Sequence, residues 1–114
     1  MSYTRTITTM NFGQALEAIK EGKKVTRTGW NGRGMYLWLL PKADIQKSWI
    51  KDPMLLSLYE ELNVEVLTCE AAIRMKTAQG TVLTGWQPTQ VDMLSEDWVE
   101  YVGDGTVKVV IQEN

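Results

Sequence analysis

Histidine is absent from the 114 residues, and cysteine occurs once, at Cys69. Without imidazole, a histidine-based nucleophilic triad is excluded, and most zinc and iron sites lose their usual ligand. A lone cysteine makes no internal disulfide, which suits a reducing cytoplasm. No apolar run approaches the ~20 residues of a membrane helix, and the N-terminus has none of the patterning of a signal peptide. Positive charge is not in excess either: 12 Lys and Arg against 14 Asp and Glu leave a net charge of −2. That balance argues against a general nucleic-acid binder but allows a small phosphorylated ligand held by a few local cations. No P-loop or dinucleotide fingerprint exists, since Gly29, Gly32 and Gly34 have the wrong spacing and lead into a strand. What remains is of ordinary globular composition, 44% hydrophobic and 23% charged, and of a length that predicts one domain over residues 1–114.

Residues 28–40, Thr-Gly-Trp-Asn-Gly-Arg-Gly-Met-Tyr-Leu-Trp-Leu-Leu, are the stretch around which the chain is organised. Glycine supplies positive φ and lets backbone come close to a neighbour, and Asn31-Gly32 is the dipeptide of primed hairpin turns. The apolar run Met35–Leu40, ended by Pro41, predicts a strand buried on both faces. A stiff strand thus carries a tight loop that presents Trp30, Asn31 and Arg33. A hairpin with a core tryptophan is the simpler reading of such a loop. The second cluster, Trp86 to Trp98, weighs against it.

In chain order, residues 3–9 predict an edge strand from their β-branched content. Asn11 caps a helix whose stripe is Phe12, Ala15, Leu16 and Ile19 and whose end is marked by Gly22. Lys23–Thr28 is a short strand with Val25 inward and Arg27 of the same parity just before the glycine loop. Residues 42–70 read as a partly helical insertion. Asp52-Pro53 starts a helix with the stripe Met54, Leu55, Leu58, Tyr59 and Leu62, and Trp49-Ile50 is expected to bury. Ala72–Thr77 and Thr81–Thr84 form strands joined across Ala78-Gln79-Gly80. Pro88–Leu94 makes one helical turn or an ordered loop. Trp98 opens another strand, and Thr106–Ile111 is its expected hairpin partner across Gly103-Asp104-Gly105. The predicted fold is α+β: a small antiparallel sheet, one N-terminal helix packed on it, and the insertion.

The chemistry left is a binder's inventory. Trp30 and Trp86 can stack on a base, Asn31, Gln90 and Asp92 can bond base edges or ribose hydroxyls, and Arg27, Arg33, Arg74 or Lys76 can meet phosphates. Stacking contributes roughly 1–3 kcal/mol per base, and a charge-assisted hydrogen bond on the order of 1.5–3 kcal/mol. A few of each suffice for tight binding without any reaction. Each also has a plainer reading: Trp38 and Trp98 as core, Arg27 as a surface residue, and the acids Asp92, Glu96 and Asp97 as caps or solvated charges rather than an acid–base pair. Those carboxylates alone would make a poor metal site.

Two sets of residues carry a resemblance. Asn11-Phe12-Gly13-Gln14-Ala15-Leu16 with Gly22-Lys23-Lys24-Val25 and Arg27-x-Gly29-Trp30-Asn31-Gly32-x-Gly34-Met35 resembles the second type of Thoeris anti-defence protein, small phage proteins. So do Ile73-x-Met75-Lys76-Thr77-Ala78-x-Gly80 and Trp86-x-Pro88-x-Gln90-x-Asp92-Met93-Leu94-x-x-Asp97-Trp98. Thr89 stands where serine is expected, keeping a hydroxyl, and Ser95 where alanine is expected. The resemblance covers about residues 10–40 and 71–98. It implies a sponge that binds cyclic ADP-ribose isomers in the host cytoplasm and holds them unaltered, with no cofactor and no catalysis. It further implies a homo-oligomer, mostly a tetramer, with pockets between subunits, and in some members a separate site for cyclic oligonucleotides of CBASS-type immunity. Carried over by position, Trp30 would stack on adenine, Asn31, Thr89, Gln90 and Asp92 would bond ribose or base, and Trp86 would wall the pocket. Arg27 as a phosphate contact follows from its place before the loop. Two other readings stay open: an enzyme that cleaves such a signal, and a phage protein-interaction module anchored by Trp30 and Trp86.

Overall fold

The computed structural model describes residues 3–6, 9–30, 34–102 and 110–113; for 3–6 and 110–113 it describes the backbone alone. In chain order the elements are β1 (Tyr3–Thr6), α1 (Phe12–Lys20), β2 (Val25–Arg27), β3 (Tyr36–Leu40), β4 (Ala43–Gln46), α2 (Pro53–Leu62), β5 (Val66–Cys69), β6 (Ala72–Lys76), β7 (Val82–Thr84), α3 (Gln90–Leu94), β8 (Trp98–Glu100) and β9 (Val110–Glu113). A 3-10 turn at Lys47–Trp49 follows β4. The class is α+β, as expected.

One compact unit comprises residues 1–39 and 73–114, the other residues 40–72. The first is built on a five-stranded sheet in the order β7-β6-β3-β2-β8. β2 lies between β3, the central strand, and β8 at the edge, pairing antiparallel with β3 through Val25↔Leu37 and with β8 through Val25↔Glu100, Thr26↔Val99 and Arg27↔Trp98. Because side chains alternate across a strand, Val25, Arg27, Leu37, Trp98 and Glu100 share one face. α1 covers that face. Asn11 caps it in a capping box, its side chain accepting from the Gln14 N–H at 2.8 Å while Gln14 accepts from the Asn11 N–H at 3.0 Å, and Gly22 follows at φ +90°. Ala15, Ala18 and Ile19 of the helix close on Val25, Leu37, Met75 and Trp98 to form the core. Full burial of a side chain such as Ile19 or Leu37 contributes about 1.5–3 kcal/mol.

β3 corrects one expectation. Only Leu37 is fully buried, while Tyr36, Trp38, Leu39 and Leu40 are half-buried, so the strand is not covered on both faces. Trp38, expected in the core, lies 5.5 Å from the Tyr36 ring outside it. The apolar run reflects a strand with a core face and an aromatic second face. The closing strand is also corrected. β9 pairs with β1 in the register Tyr3↔Glu113 to Thr6↔Val110, rather than with β8. Residues 103–109, with the expected turn, lie outside the described residues.

The 40–72 unit pairs β4 with β5 antiparallel, from Ala43↔Cys69 to Gln46↔Val66, around α2. Asp52 caps that helix, accepting from the Met54 N–H at 3.0 Å, with Pro53 in its first turn. Asn63 ends it in the left-handed region at φ 54°. Tyr59 is the one fully buried residue of the helix, and its hydroxyl donates to the Ile45 carbonyl at 2.8 Å. Leu55 of the predicted stripe is half-buried, and the others are exposed, Met54 by 80% and Leu62 by 52%. Trp49, expected to bury, is 65% exposed. The period of the stripe is right, but Tyr59 alone of it is fully enclosed.

Candidate functional site

β2 delivers Arg27 to the edge of the core, and the following residues turn sharply there. The Trp30 N–H donates to the Arg27 carbonyl at 3.3 Å, which brings the indole back over the sheet. Trp86 arrives from the other half of the chain. Gly85, at φ +86°, and Trp86 both donate their N–H to the Ile73 carbonyl at 3.0 Å. This bulge-like double donation turns the chain out of β7. Trp98, wholly buried, joins them. Its ring centroid lies 5.3 Å from Trp30, 6.3 Å from Trp86 and 5.5 Å from Phe12, and Trp30 and Trp86 lie 6.2 Å apart. The three indoles meet edge-to-face, the arrangement that ring quadrupoles favour. Trp30 and Trp86 are only partly buried against the core.

Below the indoles lies a charged knot. The Asp92 Oδ1 accepts from Arg27 Nη1 at 2.8 Å and from the Trp30 indole N–H at 3.1 Å, while Oδ2 accepts from the Thr89 N–H at 2.9 Å. Asp92 returns its own N–H to the Thr89 hydroxyl at 3.1 Å, a capping box that starts α3. Its carbonyl accepts the Trp98 indole N–H at 3.0 Å. Asp97 takes the rest of the guanidinium, with Oδ1 2.9 Å from Arg27 Nε and Oδ2 3.4 Å from Nη2. It also accepts the Gly29 N–H at 2.8 Å.

Electrostatics follow the geometry. Hydrogen bonding to Asp97 raises the Arg27 pKa, with Asp92 adding to it and burial opposing. The same bond from Arg27 is the main force holding Asp97 below the usual carboxylate range. Burial pushes Asp92 up, but the bonds from the Thr89 backbone, the Trp30 indole and Arg27 outweigh it and hold Asp92 low as well. Folded values below the unfolded carboxylate value of ~3.9 mean stability that is fully present above that pH and lost as pH falls through the folded values. Urea midpoints followed by tryptophan fluorescence are therefore expected to be level near neutrality and to fall below about pH 4. The acid limb should be shallower in Asp97→Asn; an unchanged limb would count against the assignment.

The predicted residues are placed as follows. Trp30 and Trp86 come together. Thr89 and Asp92 sit beneath them, tied to each other, and Gln90 is exposed at the start of α3. Arg27 stands where expected, before the loop, but Nε, Nη1 and Nη2 all donate to Asp92 or Asp97. Asn31 and Arg33 lie outside the described residues, as does the Asn31-Gly32 turn. Sequence reasoning passed over Asp97 as one more loop acid. Two signals pointed to it: its place in the second motif, beside Trp98, and an arginine just before the glycine loop that needs acidic partners. Among the described residues no group of Cys, Asp and Glu is arranged to hold a metal ion, and no helix is long and apolar enough to cross a membrane.

Comparison with known proteins identifies the family. The family model described as Thoeris anti-defense 2-like domain matches residues 10–101, running through the 42–70 insertion that the motif resemblance left uncovered. The chain is also 36% identical over 91 residues to Thoeris anti-defense 2 of Bacillus phage SP01, covering 80% of this chain and 93% of that protein.

Proposed function

The chain belongs to the Thoeris anti-defense 2-like family, and from that premise we propose that it is a phage anti-defence protein acting in the host cytoplasm. It binds a cyclic ADP-ribose-type immune signal and holds it unaltered, so that the downstream effector is not activated. The observation that carries this reading is the meeting of Trp30 and Trp86, from separate halves of the chain, as partly exposed rings on one buried tryptophan. Such rings offer stacking surface for a base. Trp30, Asn31, Trp86, Thr89 and Gln90 supply the contacts, over a floor made by Arg27 and Asp92.

Retention rather than cleavage suits the carboxylates. Asp92 and Asp97, held low by Arg27 and their other donors, are weak bases and carry no proton to donate at neutral pH. Exposed apolar residues of the 40–72 unit, Trp49, Met54, Leu58, Leu62 and Val66, support association of copies; a tetramer with pockets between subunits is the form the family resemblance implies. The second face of the sheet offers chemistry for a separate cyclic-oligonucleotide site. There Lys24 and Lys76 stand 5.0 and 5.9 Å from the Tyr36 ring, which stacks on Tyr101 at 4.5 Å.

The test is recovery. Cyclic ADP-ribose isomers incubated with the protein should vanish from the filtrate in proportion to protein and return unchanged on heating. A dissociation constant near nanomolar corresponds to about −12 kcal/mol, enough to hold a trace signal. Linear ADP-ribose in catalytic excess would replace this reading with an enzyme. Retention of no isomer would leave the interaction-module reading.

A further inference from the structure

We propose that Asp97 is the positioning residue of this site: it moors the backbone at Gly29 and so fixes where the Trp30 indole stands, without contacting the ligand. The proposal rests on the ligand-binding reading of Trp30 given above.

Trp30 is held at its ring and along its backbone, where its own N–H donates to the Arg27 carbonyl at 3.3 Å. Its indole N–H is fixed by Asp92, an anchor at the ring. Its backbone is also fixed through the preceding residue, whose N–H donates to Asp97 Oδ2 at 2.8 Å. The fit at that point is close. A Cβ built on Gly29 would lie 2.7 Å from Asp97 Oδ2 and 3.3 Å from Arg27 Nη2, so the carboxylate rests directly against bare backbone. Asp97 also receives the Thr28 N–H on its own carbonyl at 3.1 Å. Arg27 locks the carboxylate in place from the other side and ties it to Asp92. One guanidinium thereby couples the backbone anchor of Trp30 to its ring anchor. A binding ring held in its bound orientation loses less freedom when a ligand arrives, and support of this kind determines whether a site is tight or loose.

The competing view is that Asp97 is only an ion-pair partner of Arg27. Three probes in the native full-length chain separate the two: exchange of the Gly29 amide, of the Trp30 indole N–H, and of the Trp98 indole N–H, which donates to a backbone carbonyl and is wholly buried. In Asp97→Ala, Gly29 and Trp30 exchange should accelerate about tenfold or more, with Trp98 unchanged. Affinity for cyclic ADP-ribose isomers should fall about tenfold, the size of immobilising one or two side chains. Asp97→Asn abolishes the charge but keeps an oxygen for the Gly29 N–H, so it should restore much of the Gly29 and Trp30 protection. Equal acceleration at Trp98, or an asparagine variant no better than alanine, overturns the proposal. If the alanine variant does not fold, the asparagine variant decides: protection near wild type at Gly29 and Trp30 supports the mooring, and loss at both overturns it. Should the wild type retain no isomer, the ligand reading fails while the exchange measurements still decide the role of Asp97.

Discussion

Arg27→Met is expected to lower stability by about 3–5 kcal/mol, the cost of leaving buried partners of an ion pair uncompensated. The melting temperature should drop by more than about 10 °C. The side chains of Arg27, Asp92 and Asp97 are 11%, 9% and 28% exposed, so water offers little relief to Asp92 and partial relief to Asp97, which places the loss at the lower end of that range. Methionine fills much the same volume, which isolates the charge from the packing. Arg27→Lys should recover little, because one ammonium on a flexible stem cannot reproduce a planar fork that serves two carboxylates at once. The deficit should narrow as pH falls, since protonation relieves the orphaned acids. Urea titrations of both variants across pH test this, and a loss under ~1 kcal/mol, the size of a surface pair, would show that the knot is solvated.

The second large effect is on ligand retention. Trp30→Ala should weaken binding of cyclic ADP-ribose isomers by about 5- to 150-fold, the equivalent of ~1–3 kcal/mol of stacking, with the fold retained. Trp30 also packs on Trp98 and donates to Asp92, so some stability goes with it. Trp30→Phe separates these contributions, keeping a ring over Trp98 while deleting the N–H. It should bind between alanine and wild type. Calorimetric titration alongside thermal melts reads both quantities. If Trp30→Ala unfolds the protein, Trp30 belongs to the core and the site lies elsewhere.

Much of the frame was legible because local signals agreed with the fold. Asn11 and Gln14 form a capping box, Gly22 takes positive φ, and Asp52-Pro53 starts a helix, each a decision made within a few residues. Trp30 stood out only because a second tryptophan-bearing segment, Trp86 to Trp98, offered it a partner; alone, its glycine loop reads as a hairpin over a core indole. The failures have a common cause. Trp38, Trp49, Met54 and the partner of β9 depend on what covers a surface or which distant strand lies alongside, and hydrophobicity alone carries neither fact. The role of Arg27 was obscured for the same reason. Its two carboxylates come from the far end of the chain, and only the sheet register Arg27↔Trp98 brings that segment beside it.

The packing of Trp30, Trp86 and Trp98 has an optical consequence. Indoles 5.3 to 6.3 Å apart at interplanar angles of 66° to 79° do not absorb as independent chromophores; their transition dipoles mix, and the handedness of the trio is written into the circular dichroism. A molecule that slides against one ring redraws that spectrum. The protein carries its own dye, and the proposed binding at Trp30 or Trp86 should register in it without any label.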